Sequence, residues 1–93
     1  MNCTALLVSG HALIKMFARS VTLEEVKEAI TNGEIIKSYP EDIPYPSFLL
    51  LKIVDEKVLH VVVAKNPGDD SCILITVYEP DEKIWSDDFK SKR

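Results

Sequence analysis

The sequence predicts an α+β domain in which two N-terminal helices pack on a mostly antiparallel β-sheet of three to four strands. Three observations carry this expectation. Residues 9–32 hold two helical segments with recognisable caps, and residues 35–79 hold apolar runs separated by turn residues. A chain of 93 residues also leaves room for only one domain, here 1–93. The tail, 81–93, keeps Ile84, Trp85 and Phe89 among charges, so its first part is expected to pack and Lys90–Arg93 is not.

The first helix is predicted from about Gly10 to Ser20, with Ser9 as its N-cap. At 100° per residue His11, Lys15 and Arg19 fall in one polar stripe. Leu13, Ile14, Phe17 and Val21 lie opposite and are assigned to the core. The second helix starts at Thr22, whose Thr-x-x-Glu spacing to Glu25 is a capping box. Val26, Ala29 and Ile30 form its apolar side, and Gly33 stops it.

After Gly33 the period changes. Ile35–Tyr39 is a short strand, closed by the Pro-rich segment Pro40–Pro46. Phe48–Val54, Val58–Ala64 and Cys72–Glu79 are longer strands. Asp55–Lys57 separates the first two and Lys65–Ser71 the last two. Leu49/Leu51/Ile53, Leu59/Val61/Val63 and Ile73/Ile75/Val77 alternate, and joining the three sets into one core face sets a register. In it Ile53 opposes Leu59 across a three-residue loop at Asp55–Lys57, and Val61 opposes Ile75. The other face then aligns Lys52, His60 and Thr76 in one row, with Tyr78 one pair along beside Val58. That face also carries Phe48, Leu50, Val54, Val62 and Leu74, so the Ile84–Phe89 tail or a partner protein is expected to cover part of it.

Composition narrows the function. Hydrophobic residues make up 46% and charged residues 28%, as in an ordinary globular protein. Cys3 and Cys72 are isolated, without metal-ligand spacing, and a fold independent of disulfide and metal is expected, with Cys72 as a small buried hydrophobe. No apolar run is long enough for a membrane span and no secretory signal opens the chain, so a cytoplasmic protein is expected. A net charge of −4 argues against general nucleic-acid binding. The charge is uneven, however: residues 1–23 carry Lys15 and Arg19 and no acid.

Two constellations could carry chemistry. In the row Lys52–His60–Thr76–Tyr78, His60 could move a proton to or from a ribose hydroxyl, while Lys52 and Tyr78 stabilise charge on a phosphate in flight. No metal or other cofactor is required for this. The plainer reading is a core-edge histidine bonded to Thr76 beside a solvated lysine. In the stripe His11–Lys15–Arg19, Arg19 and Lys15 could grip phosphate; the plainer reading is the wet side of an amphipathic helix.

The order and spacing of several short pieces resemble the family known as domain of unknown function 4258 over almost the whole chain. These pieces are His11-x-x-x-x-Met16-x-x-Arg19, Thr22-Leu23-Glu24-Glu25, Asn32-Gly33-Glu34-Ile35-Ile36 and Tyr39-Pro40. They continue with Leu59-His60-Val61-Val62 and Ile75-Thr76-Val77-Tyr78-Glu79-Pro80-Asp81, with Trp85 following. The family commonly has arginine where this chain has Lys15, which keeps the charge but loses the planar fork. The resemblance implies a RelE/ParE-like (barnase–RelE-like) fold, a toxin–antitoxin setting and a small zinc-finger-type antitoxin as partner. It also marks His11, Arg19, His60 and Tyr78 as recurrent polar positions. The resulting expectation is a toxin-type, metal-independent endoribonuclease acting on RNA rather than DNA. In it His60, Tyr78 and His11 are catalytic, Arg19, Lys15 and Lys52 bind phosphate, and Thr76 supports them. The alternatives are a non-catalytic protein-binding module and an inactive member of the family.

Overall fold

A computed structural model describes residues 1–93. The elements are β1 (Leu6–Val8), α1 (Gly10–Ala18), α2 (Leu23–Asn32), β2 (Glu34–Tyr39), β3 (Ser47–Val54), β4 (Lys57–Lys65) and β5 (Cys72–Tyr78). They build one five-stranded sheet in the order β1-β5-β4-β3-β2. All neighbours are antiparallel except β1 and β5, which run parallel. The expected architecture is thereby corrected: the sheet is mixed and has five strands, and a strand precedes the helices. At three residues β1 is too short to display an alternation. It exists because Leu6, Leu7 and Val8 find Cys72, Ile73 and Leu74 on β5.

Local signals set the helix ends. Ser9 Oγ accepts from Ala12 N–H at 3.0 Å, which caps α1. Thr22 accepts from Glu25 N–H, and the Glu25 carboxylate accepts from Thr22 N–H, closing the box that opens α2. Gly33 ends α2 with an ordinary negative φ. What requires glycine there is space, because a Cβ would collide with the Ala29 carbonyl oxygen.

The phase of α1 differs from the expectation. Ala12, Met16 and the following Val21 enter the core, whereas Leu13 and Ile14 are exposed and Phe17 is 91% exposed. The cap explains this. Ser9 N–H donates to the Leu74 carbonyl and Ser9 Oγ–H to that of Ile75, fixing the start of α1 against the outer edge of β5. From that anchor the i, i+4 pair Ala12/Met16 faces inward, and the larger apolar residues point outward.

The register differs by one residue between β3 and β4 and by two between the first part of β4 and Thr76–Tyr78 of β5. Asp55 and Glu56 alone form the β3–β4 turn, both at positive φ (49° and 70°), the backbone signature of a two-residue type I′ hairpin. Ile53 therefore opposes Val58, Leu51 opposes His60 and Leu50 opposes Val61. A bulge between Val62 and Val63 then brings Val61 opposite Val77 and Val63 opposite Leu74. The side covered by the helices holds Leu50, Leu59, Val61, Val63, Leu74 and Val77, packed with Val26, Ala29 and Ile30 of α2. Leu59, Val61 and Val63 face the core as expected; Leu51, Ile53 and Ile75 do not.

Cys3 and Cys72 form a disulfide with Cα atoms 5.6 Å apart, correcting the expectation of two isolated thiols. Their separation of 69 residues hides the pair, which the parallel pairing of β1 with β5 brings together. The tail also packs further than expected. Trp85 bridges to Lys92, Arg93 N–H donates to the Ile84 carbonyl, and the Arg93 guanidinium reaches Asp87 at 2.7 Å. No helix is long and apolar enough to cross a membrane.

Candidate functional site

His60 lies on β4, on the side of the sheet away from the helices, directly opposite Tyr78 of β5. Its residue exposure is 0%. Two parts of the tail close over it. The Trp85 ring meets the imidazole edge to face, with centroids 4.4 Å apart, and the Phe89 carbonyl oxygen lies 2.8 Å from Nε2. A carbonyl can only accept, so Nε2 carries the proton and Nδ1 holds the lone pair. Nδ1 then accepts from the Tyr78 hydroxyl at 3.2 Å.

This network sets the protonation states. Burial holds the His60 imidazole below its ordinary pKa, against the opposing pull of the Phe89 carbonyl. Burial also raises the Tyr78 phenol, and the neighbouring Tyr39 raises it further. At neutral pH the pair is a neutral imidazole accepting from a protonated phenol. Tyr78 is only half-buried, so a base sits behind a partly accessible hydroxyl, itself oriented by a backbone carbonyl.

The remaining predicted residues divide sharply. Lys52 pairs with Leu59, on the helix side of the sheet. The one-residue slip therefore removes the amine from the imidazole and the phenol, and the Lys52–His60–Thr76 row does not exist. Thr76 pairs with Val62, one step along the same side from His60 and Tyr78. Its hydroxyl lies 3.2 Å from His11 Nε2, so α1 reaches this side around the edge of β5. His11 is exposed. Lys15 and Arg19 follow one and two turns further on, about 6 and 12 Å along the helix axis from His11. Neither takes part in an ion pair.

One feature escaped sequence reasoning. A cleft of about 330 Å³ opens in front of Tyr78, lined by Lys37 and Tyr39 of β2 and by Trp85, Lys90 and Lys92 of the tail. Lys37 and Tyr39 share one side of β2 by alternation, but no local pattern signals that Lys90 and Lys92 of the tail meet them. No group of three or more His, Cys, Asp or Glu side chains converges to hold a metal ion. The buried Glu25 instead serves the fold. Its pKa is lowered by the Thr22 backbone hydrogen bond and by Lys57, whose ammonium lies 3.2 Å away.

A family model described as domain of unknown function (DUF4258) matches residues 8–79. The matched region contains His11, Arg19, His60 and Tyr78 and ends just before the segment that covers His60. No curated protein and no solved structure matches the chain.

Proposed function

This chain belongs to the DUF4258 family, and we propose that it is a toxin-type endoribonuclease in which Tyr78 meets the RNA and His60 acts behind it. The observation that carries the reading is the hydrogen bond from His60 Nε2–H to the Phe89 carbonyl, which leaves Nδ1 as a proton acceptor on the Tyr78 hydroxyl. The phenol oxygen takes the proton of a ribose 2′-hydroxyl as its own proton passes to His60 Nδ1. The 2′-oxygen forms a bond to the adjacent phosphorus, and the bond from phosphorus to the 5′-oxygen breaks. His11, exposed on α1 and bonded to Thr76 of the neighbouring row, supplies the proton to that leaving oxygen. The products are a 2′,3′-cyclic phosphate and a 5′-hydroxyl, and each proton transfer uses side chains of this chain.

The toxin setting is what the sequence resemblance implies, and the five-stranded sheet is not part of its support. An RNA target places the protein in the cytoplasm, where thiols are kept reduced. The assay is therefore run with and without reductant. Purified protein is incubated with RNA in EDTA beside Tyr78→Phe, which keeps the ring and removes only the hydroxyl. Wild type is expected to release 2′,3′-cyclic ends, and the variant to be slower by about 10²–10⁴-fold with an unchanged circular dichroism spectrum. Intact RNA with wild type, or equal cleavage by both proteins, would overturn the reading.

A second reading has its own observation: the solvent-facing apolar side of α1, formed by Leu13, Ile14 and Phe17. Here the protein is a non-catalytic module that docks on another protein. The resemblance to the family nominates a small zinc-finger-type antitoxin. Under this reading Phe17→Ser abolishes co-purification with a co-expressed small zinc-finger-type protein while wild type leaves RNA intact.

A further inference from the structure

Lys37, Lys90 and Lys92 converge on the cleft before Tyr78, although the whole chain has 11 cationic side chains against 15 acidic ones. Three of the scarce cations in one concavity is not what an acidic surface yields by even scattering. Two of them are held without a carboxylate. Lys37 Nζ stands 5.5 Å from the centre of the Tyr39 ring and Lys92 Nζ 5.9 Å from that of Trp85. Neither occurs in any of the four ion pairs of the molecule. Lys90 is paired, with Glu34 at 3.1 Å. Three ammonium groups and one carboxylate leave a local charge of about +2, which matches the roughly −1.5 to −2 of a phosphate monoester at neutral pH. A phosphodiester or a carboxylate carries only one charge. The volume of about 330 Å³ lies at the lower end of the roughly 300–1,000 Å³ typical of small-molecule sites. It suits one nucleotide unit better than two. Tyr39 and Tyr78 add phenolic groups to the lining.

We propose that this cleft binds the phosphomonoester of a nucleotide, with Lys37, Lys90 and Lys92 around the phosphate. Lys90 and Lys92 lie beyond residue 79, so the site is built partly from the segment that the family model does not cover. The proposal concerns binding alone and stands apart from RNA cleavage, which needs the Tyr78 hydroxyl as a proton carrier. Free nucleoside monophosphate and the 5′-phosphorylated end of an RNA strand present the same chemistry.

Calorimetry at low salt with adenosine 5′-monophosphate, adenosine, and a hexaribonucleotide with and without a 5′-phosphate tests it. Adenosine monophosphate is expected to bind and adenosine not to. The Lys37→Gln/Lys92→Gln double variant, altered only at exposed positions, should weaken binding at least about tenfold, as expected for lost charge-assisted hydrogen bonds. Glu34→Gln should tighten binding, because it removes the competitor for Lys90. Wild-type protein that binds adenosine monophosphate but leaves RNA intact supports this site and overturns the cleavage reading, so the two fail separately. A 5′-phosphorylated hexamer that outbinds the free nucleotide identifies an RNA end as the source, and the reverse order identifies the free nucleotide. Equal binding of adenosine and its monophosphate, or a double variant with wild-type affinity, would overturn the proposal.

Discussion

The two sides of the sheet are sealed by different physics. On the helix side Leu50, Leu59, Val61, Val63, Leu74 and Val77 meet Ala12, Met16, Val26 and Ala29, and contact there is almost purely aliphatic. On the tail side the central residue is a histidine, closed by one ring contact, one carbonyl and one phenol. Burial of aliphatic surface is non-directional and tolerates small shifts. A hydrogen-bonded seal depends on individual atoms and on protonation. The helix side should therefore set global stability, and the tail side should respond to pH and to single polar substitutions.

The largest expected effect lies on the helix side, where Cys72 belongs to the core and ties Cys3 to β5. Closing a loop of 69 residues is worth about 4 kcal/mol through the unfolded chain. Urea unfolding with and without reductant should show a loss of that order in free energy. A midpoint that does not move would mean that the packing of β1 and β5 alone holds this edge. Next comes Leu59→Ala, which deletes a fully buried side chain from the centre of the same side. A loss of about 3 kcal/mol is expected, with no change in the pH dependence of stability.

Between pH 8 and pH 5 the tail side should show a pH dependence that the helix side lacks, because the lowered pKa of Glu25 on that side lies below this window. His60 has a folded pKa below its ordinary value of about 6.5, so between those values the unfolded chain binds more protons than the native one. The stability contributed by the neutral imidazole is fully present above about pH 6.5 and is lost as pH falls from there toward the lowered folded value. Melting temperature followed from pH 8 to pH 5 should drop in that window. Trp85 fluorescence should shift red with it as the ring over His60 becomes wetted. A melting temperature independent of pH across the window would show that the seal does not depend on the neutral ring.

The same contrast explains what could be read from the sequence. Both helices, the Ser9 cap, the Thr22–Glu25 box and the three long strands were legible because each signal spans only a few neighbouring residues. The cross-strand partner of His60 was missed for a physical reason. Leu49 and Leu50 are both buried, so β3 is apolar on both sides and alternation accepts either of two registers. One of the two sets Lys52 beside His60; the protein adopts the other, which pairs Lys52 with Leu59. His60 and Tyr78 come together nonetheless, because the β4–β5 register differs there from the expected one by two residues, which keeps both on the expected side and sets them directly opposite. The Cys3–Cys72 pair, the strand Leu6–Val8 and the lysine cleft depend on contacts between distant parts of the chain, and no local pattern reports them.

The smallest expected effect probes that register directly. Asp55 and Glu56 both sit at positive φ, which Asp tolerates and Glu resists. Placing glycine at the second position of a type I′ turn removes the Cβ strain, partly offset by the greater freedom of glycine in the unfolded chain. Glu56→Gly should stabilise the protein by about 1 kcal/mol, read as a higher urea midpoint with an unchanged slope. The alternative three-residue loop would return Lys52 to the side of His60, and its preferred glycine position need not coincide with residue 56. A destabilised Glu56→Gly variant would therefore reopen the assignment of which side chains face the tail, and with it the separation of the two sides.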